Sequence, residues 1–251
     1  MSPAFVSQPY SHVSQSLISP NPKERKQMQV YIAGTGKLAT ELTERLVPQG
    51  GLSFAKWSGM PEARTKSIVV HAGSGREIEA ISKFCSSTSS VLVELSTGSS
   101  LEGSSPDFPV ILCPNTNILM LKFMCMLERS GAMFKGYETH LTESHQASKT
   151  STPGTAVQMA QSLGVGEHEI VSVRDVSQQA NEFQIPQEHL ARHAFHRITM
   201  HDGSCSISME TRVYGEAPYA SGVQQIIAAA ACRTLESRVY AITEFIENGW
   251  V

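Results

Sequence analysis

The stretch Gln29-Val30-Tyr31-Ile32-Ala33-Gly34-Thr35-Gly36-Lys37-Leu38-Ala39 decides how this 251-residue chain is read. Its first five residues form a short apolar run that stops at the glycines. Leu38, Leu42 and Leu46 then recur at a spacing of four, so the reading is strand, tight turn, helix. Glycines at such a turn let backbone N–H groups approach a pyrophosphate at the positive end of the helix. Gly34, Thr35, Gly36, Lys37 and Leu38 are therefore the candidate residues of a dinucleotide site, with a merely tight turn as the alternative.

Outward from this turn the same rhythm continues. Leu52–Ala55, Ser67–His71, Ser90–Leu95 and Val110–Cys113 read as strands, and Arg76–Cys85 as a helix. Strands alternating with helices imply a doubly wound parallel sheet. A Met- and Leu-rich helix reaches to Arg129, with its methionines as core filler. Beyond it Tyr137–Glu143, Glu169–Arg174 and Ser204–Tyr214 alternate apolar and polar residues, as strands do in a sheet covered on one face. The last 30 residues, through Ile227, Leu235, Val239, Ile242 and Phe245, read as one or two amphipathic helices. The fold class expected is α/β: a parallel sheet followed by an α+β domain with an open mixed sheet. The expected divisions are 28–115 with 222–251 for dinucleotide binding and 116–221 for substrate binding and oligomerisation.

Composition narrows the function. Hydrophobic residues make up 41% and charged residues 17%, which excludes a disordered chain and a disulfide miniprotein. Twenty Lys+Arg against 23 Asp+Glu leave a formal charge of −3, with no field to hold a nucleic acid or an acidic membrane. Five scattered cysteines without a CxxC read as free thiols in a reducing compartment, so the expected location is cytoplasmic. No apolar run approaches the roughly 18 residues a membrane span needs. Residues 1–27 are rich in Ser and Pro, hold a single acid, Glu24, and are expected to be a disordered extension. They lack the apolar core of a secretory signal; a long native tail, or a misplaced start ahead of Met28, is the favoured reading, and their Ser-rich, acid-poor character resembles an organelle transit peptide as the alternative.

Two sites carry chemistry. Where a ribose-binding acid is expected after the second strand stands Ala55-Lys56-Trp57-Ser58, and a cation there suits the 2′-phosphate of NADPH; a solvated lysine is the alternative. The stretch Glu143-Ser144-His145-Gln146-Ala147-Ser148-Lys149 leads into Pro153-Gly154-Thr155-Ala156 at a helix start. His145 is a proton donor, and free N–H groups at the helix start form a carboxylate cradle that Lys149 can share. A small anionic substrate is implied. His189, His193 and His196 fall at i, i+4 and i+7, on one face if the segment is helical. They read as surface or interdomain histidines, and no metal is expected.

The same residues resemble the 4-hydroxy-tetrahydrodipicolinate reductase family, which carries a motif E-x-H-H-x-x-K-x-D-x-P-S-G-T-A. Glu143, His145, Lys149, Pro153, Gly154, Thr155 and Ala156 match it. Ser96-Thr97-Gly98 is similar to the family's nicotinamide loop, Pro114-Asn115-Thr116-Asn117 to its P-N-F-S segment, and Tyr219-Ala220-Ser221-Gly222 to its late F-A-x-G turn, in consistent order over residues 28–247. The departures are Gln146 for the second histidine, Ser151 for the aspartate, and a Lys-to-Gly spacing one residue shorter. The resemblance implies a Rossmann-type N-terminal domain, a homotetramer, and hydride transfer from NADPH and/or NADH to a cyclic dicarboxylate imine of lysine biosynthesis. It implies His145 and Lys149 as catalytic residues and Gln146, Gly154 and Thr155 as substrate contacts. Ser96, Thr97, Gly98, Pro114, Asn115 and Thr116 would join Lys56 and the Gly34–Leu38 turn around the cofactor. Another cyclic imine or oxo-acid substrate, and a non-catalytic NADPH-binding regulatory role, are the alternatives.

Overall fold

The computed structural model describes residues 27–62, 64–215 and 219–251. The chain forms β1 (Met28–Ala33), α1 (Lys37–Arg45), β2 (Leu52–Lys56), β3 (Ile68–His71), α2 (Ile78–Thr88), β4 (Val91–Glu94) and β5 (Val110–Leu112). It continues through α3 (Ile118–Ser130), β6 (Glu138–His145), α4 (Gly154–Leu163), β7 (Val171–Val173), α5 (Val176–Asn181), β8 (Ala194–His201) and β9 (Ser206–Val213). It closes with α6 (Ala220–Ala231), β10 (Val239–Ala241) and α7 (Ile242–Glu247).

The first sheet runs β10-β5-β4-β3-β1-β2, and every pairing is parallel. Its central strands are apolar on both faces because helices cover both. On one face Val30, Ile32, Val70 and Val93 pack with Leu42 of α1, Ile226 and Ile227 of α6 and Phe245 of α7. On the other, Val69 and Leu92 pack with Ile81 and Phe84 of α2 and with Trp57. The second sheet runs β7-β6-β8-β9, with β6 and β7 parallel and the remaining pairs antiparallel. One face, with Leu141, Ile198 and Met200, is covered by α3 and α4. The doubly wound sheet and the mixed second sheet are those expected from the sequence.

Helix α3 joins the two lobes: Ile118 and Leu121 belong to the first core, Met120 and Leu127 to the second. The start of α6 presses on the same junction. A Cβ at Gly222 would fall 1.6 Å from the carbonyl oxygen of Thr116, a contact only glycine allows.

Two expectations are corrected. The last 30 residues are not purely helical: β10 lies between α6 and α7 and extends the parallel sheet beside β5. Three strand residues, of which Tyr240 alone is buried, are too few to show a period, so Val239 and Ile242 mimic helical spacing. The segment holding His189, His193 and His196 is not a helix. His189 ends a 3-10 turn, and His196 lies on β8, the central strand of the second sheet that sequence periodicity missed. Residues 1–26 of the expected disordered extension lie outside the described residues.

Candidate active site

Strand β6 sets its side chains alternately on two faces, so Glu143 and His145 share the helix-covered face with Leu141. His145 Nδ1 lies 2.8 Å from Glu143 Oε2. Arg174, just beyond β7, closes on the same carboxylate, with Nη2 2.6 Å from Oε1 and Nη1 3.2 Å from Oε2. Burial pushes the Glu143 carboxyl up, but hydrogen bonds from His145, Arg174 and Ser172 and the Arg174 charge outweigh it and hold it at about 2. An ionised Glu143 accepts the Nδ1–H of His145 and turns the Nε2 edge away from itself. Gln179 fixes the backbone there, its Nε2 donating to the His145 carbonyl at 2.7 Å.

Helix α4 begins opposite. Its N-cap is Pro153, with no capping side chain and no acid in the first turn. The first amides, including those of Gly154 and Thr155, have no partner within the helix and can meet an anion. Between the lobes lies a cleft of about 250 Å³. Leu38, Leu95 and Pro114-Asn115-Thr116 line it from the first lobe; His145, Thr155 and His196 line it from the second, and Tyr219 stands at the junction. Residues as far apart in sequence as Leu38 and Tyr219 thus face one space.

The other sequence candidates are distributed around it. Gly34 takes φ +124°, and a Cβ there would fall 2.4 Å from the Ala72 carbonyl, so only glycine lets the turn pass the end of β3. Gly36 caps α1 without a side chain, and α1 has no acid in its first turn. Thr35, Gly36 and Lys37 line a separate cleft of about 430 Å³ with Arg192 of the second lobe. Lys56 is exposed at the end of β2, while its neighbour Trp57 packs edge-on against Tyr31 and Phe84 in the core. Ser96 lines a larger cavity of about 620 Å³ that shares Pro114 and Asn115 with the first cleft, and Thr97 and Gly98 are exposed. Gln146, Lys149 and Gly154 do not line the cleft beside His145. The Lys149 backbone is held, its carbonyl accepting from Arg174 Nε at 2.8 Å, but its ammonium has no hydrogen-bond or ion-pair partner among the described residues.

Sequence reasoning missed three groups. Arg174, 31 residues from Glu143, carries no local signal. His196 lies in the cleft wall, 5.8 Å from the His145 ring centre, because β8 pairs with β6 in a register that sets Glu143 opposite it. The third is a sealed pair at the ends of β3 and β4. His71 Nδ1 is 2.8 Å from Glu94 Oε2, both side chains being fully buried, and Glu94 Oε1 accepts from the Ser96 amide at 2.8 Å and from the Ser96 hydroxyl. A histidine after two valines and a glutamate after Val-Leu-Val are charges inside apolar strands, the one available clue. His189, His193 and His196 form no ligand set: His193 is engaged by Ser144 at 2.9 Å and by the His189 carbonyl at 3.1 Å. Elsewhere Glu138 bridges His140 and His201 at 3.0 and 3.5 Å on the exposed end of β6 and β8.

A reductase named 4-hydroxy-tetrahydrodipicolinate reductase 1, chloroplastic, from Arabidopsis thaliana is 32% identical over 134 residues, covering 49% of this chain and 39% of its own. A probable 4-hydroxy-tetrahydrodipicolinate reductase 1 from Oryza sativa subsp. japonica is 38% identical over 104 residues, 39% of this chain and 30% of its own. Over those residues the chain is similar to the plant 4-hydroxy-tetrahydrodipicolinate reductases. The matches span about two fifths or less of the length of those plant reductases. No protein-family model matches the sequence. In fold it is similar to a dipicolinate-bound dihydrodipicolinate reductase from Paenisporosarcina sp. TG-14, with a TM-score of 0.64 at 15% identity over 86% of this chain and 98% of the other. The reductase resemblance read from the motifs is thus supported by sequence and by fold. The five cysteines are free, with Cys85, Cys113 and Cys125 buried, and no described helix is long and apolar enough to cross a membrane.

Proposed function

We propose that the protein is an NAD(P)H-dependent oxidoreductase that reduces 4-hydroxy-tetrahydrodipicolinate, a cyclic dicarboxylate imine, to tetrahydrodipicolinate. The observation that carries this is the cleft in which Leu38 and Pro114-Asn115-Thr116 of the first lobe face His145 and Thr155 of the second. A nicotinamide dinucleotide fits the residues present. The Gly34 turn leaves no room for a side chain, and α1 opens with no capping side chain and no acid in its first turn, Glu41 and Glu44 lining the same cleft one turn further on. Gly34, Thr35, Gly36 and Lys37 would hold the pyrophosphate, Lys56 a 2′-phosphate, and Ser96-Thr97-Gly98 with Pro114-Asn115-Thr116 the nicotinamide end. When bound, the cofactor supplies a hydride.

The chain's own groups do the rest. The amides of Gly154 and Thr155 hold a substrate carboxylate at the α4 start, with Gln146 and Lys149 approaching from the preceding loop as the lobes close. Glu143 accepts the Nδ1–H of His145 and stabilises its imidazolium form, whose Nε2–H is the proton given to the anionic enamine left by hydride addition, leaving a neutral ring, and Lys149 serves as a second donor. General acid catalysis of this kind contributes roughly 10²–10⁴-fold. The plant relatives are named chloroplastic, which favours the transit-peptide reading of residues 1–27 over a cytoplasmic tail. A homotetramer built through the second sheet belongs to the same proposal.

One observation favours a second reading. Gln146 and Lys149 lie off the cleft in the stretch where a substrate is read, which suits a reductase of the same fold acting on another cyclic imine or oxo-acid. NADPH consumption with enzymatically generated 4-hydroxy-tetrahydrodipicolinate decides between them. Turnover that is lost in both His145→Ala and Lys149→Ala supports the first; turnover only with other imines or oxo-acids supports the second. NADPH binding without turnover of any of them returns the protein to a regulatory role.

A further inference from the structure

His196 is 98% buried, its side chain being only 2% exposed, yet it lines the cleft beside His145 and Thr155. Its two nitrogens are in unequal positions. Nδ1 lies 3.0 Å from the Thr211 hydroxyl on the neighbouring strand β9, whereas Nε2 is buried with no hydrogen-bond partner among the described residues. An unpaired buried polar atom is costly, and one on a residue that lines a cleft is a place where a ligand or an ordered water can complete it. Burial, and next the charge of His145, push its pKa down to about 4 against the pull of Glu143, so the ring is neutral at pH 7. If the Thr211 O–H donates to Nδ1, the ring carries its one proton on Nε2.

We propose that His196 is the second histidine of this site, its Nε2–H donating a hydrogen bond to an anionic oxygen of the substrate in the part of the cleft that Gln146 does not line. The inference rests on the proposed reductase reading for the identity of that substrate, but not for the existence of the contact. It changes the logic of recognition. A family pattern with two adjacent histidines puts both at the end of one strand; here one remains on β6, and the other comes from the antiparallel partner β8, where Ala194 pairs with His145. A neutral donor held by Thr211 selects for an acceptor at a set place and adds no charge, which suits a planar dicarboxylate whose other end already sits on helix amides.

The experiment is an equilibrium titration of the NADPH-loaded protein with dipicolinate, a planar dicarboxylate that is not turned over. His196→Leu removes both nitrogens at similar volume, and His196→Gln restores a donor near Nε2. The expected result is dipicolinate binding weakened roughly 10- to 100-fold in the leucine variant, recovered to within a few fold in the glutamine variant, with NADPH affinity and thermal midpoint unchanged. Thr211→Val is expected to fall between them, and ¹⁵N spectra of the wild-type imidazole to show the Nε2–H tautomer. Unchanged dipicolinate affinity in the leucine variant overturns the proposal. So does equal weakening of NADPH and dipicolinate together with a lowered thermal midpoint, the pattern of a merely structural histidine, or a wild type that binds no dipicolinate. Failure of the reductase reading looks different: the wild type binds dipicolinate through His196 yet does not consume NADPH with the lysine-pathway imine.

Discussion

The two lobes each hold a histidine against a glutamate at 2.8 Å, and the two pairs are built for different ends. His71 and Glu94 are sealed at the ends of β3 and β4, where Glu94 spends its remaining lone pairs on the Ser96 amide and hydroxyl. His145 keeps 14% of its side chain open to the cleft, and Arg174 clasps its glutamate from the far side. The same contact is thus a brace in one lobe and, on the proposed reading, the support of a proton donor in the other. What separates them is whether one ring edge reaches solvent-accessible space, since a proton must have somewhere to go.

The sharpest way to break this contrast is to remove each imidazole. His145→Ala is expected to cost roughly 10²–10⁴-fold in kcat with NADPH affinity and urea midpoint little changed, measured by steady-state kinetics and fluorescence titration. His71→Ala is expected to do the reverse and cost stability, about 3–5 kcal/mol by urea unfolding, because it strands Glu94 without its partner. Replacing both by leucine should recover most of that loss. A His71 variant that folds normally and loses turnover would put chemistry in the wrong lobe.

Acid titration sharpens the contrast next. His196 has its pKa lowered to about 4 from 6.5, so its folded neutral form contributes stability that is present above pH 6.5 and lost as pH falls toward 4. Glu143 has its pKa lowered to about 2 from 4.5, so its contribution is present above pH 4.5 and lost as pH falls toward 2. The urea midpoint should therefore drop in two stages on acidification, and His196→Gln should shrink the upper one without touching the lower, what remains of the upper stage coming from His193, which burial also holds below its ordinary value. A single stage centred near pH 4.5 in both proteins would contradict it.

Smaller effects lie at the rim and in the core. Lys56→Ala is expected to raise KM for NADPH several-fold while leaving KM for NADH unchanged, because one exposed cation contributes about 1 kcal/mol to a phosphate; equal KM changes for both cofactors would remove Lys56 from the site. Burial pushes the thiols of Cys85 and Cys113 up to about 12, so a thiol reagent at pH 8 should label Cys205 and Cys232 quickly and those two only on unfolding.

Much of the first lobe was legible before any coordinates. Strand, glycine turn and helix are local events, each set by residues within about a dozen positions, and Gly34, Gly36 and Leu38 stand where the pattern put them. Motif spacing likewise brought out His145 and Thr155, which lie on consecutive elements. Strand β8 escaped because its period-two pattern is broken by Phe195 and His196, and β10 because three residues carry no period.

What sequence alone determined, then, is the order of elements from β1 to α3, the glycine turn, the free thiols and the reductase resemblance, all properties of neighbours along the chain. Tertiary structure alone decided that Arg174 clasps Glu143, that His196 faces His145, that His71 and Glu94 seal each other, and that Lys149 and Gln146 stand off the cleft. Pairing register and lobe contacts join residues tens of positions apart. Buried charge is tolerated only where such distant partners meet, so no local pattern announces it.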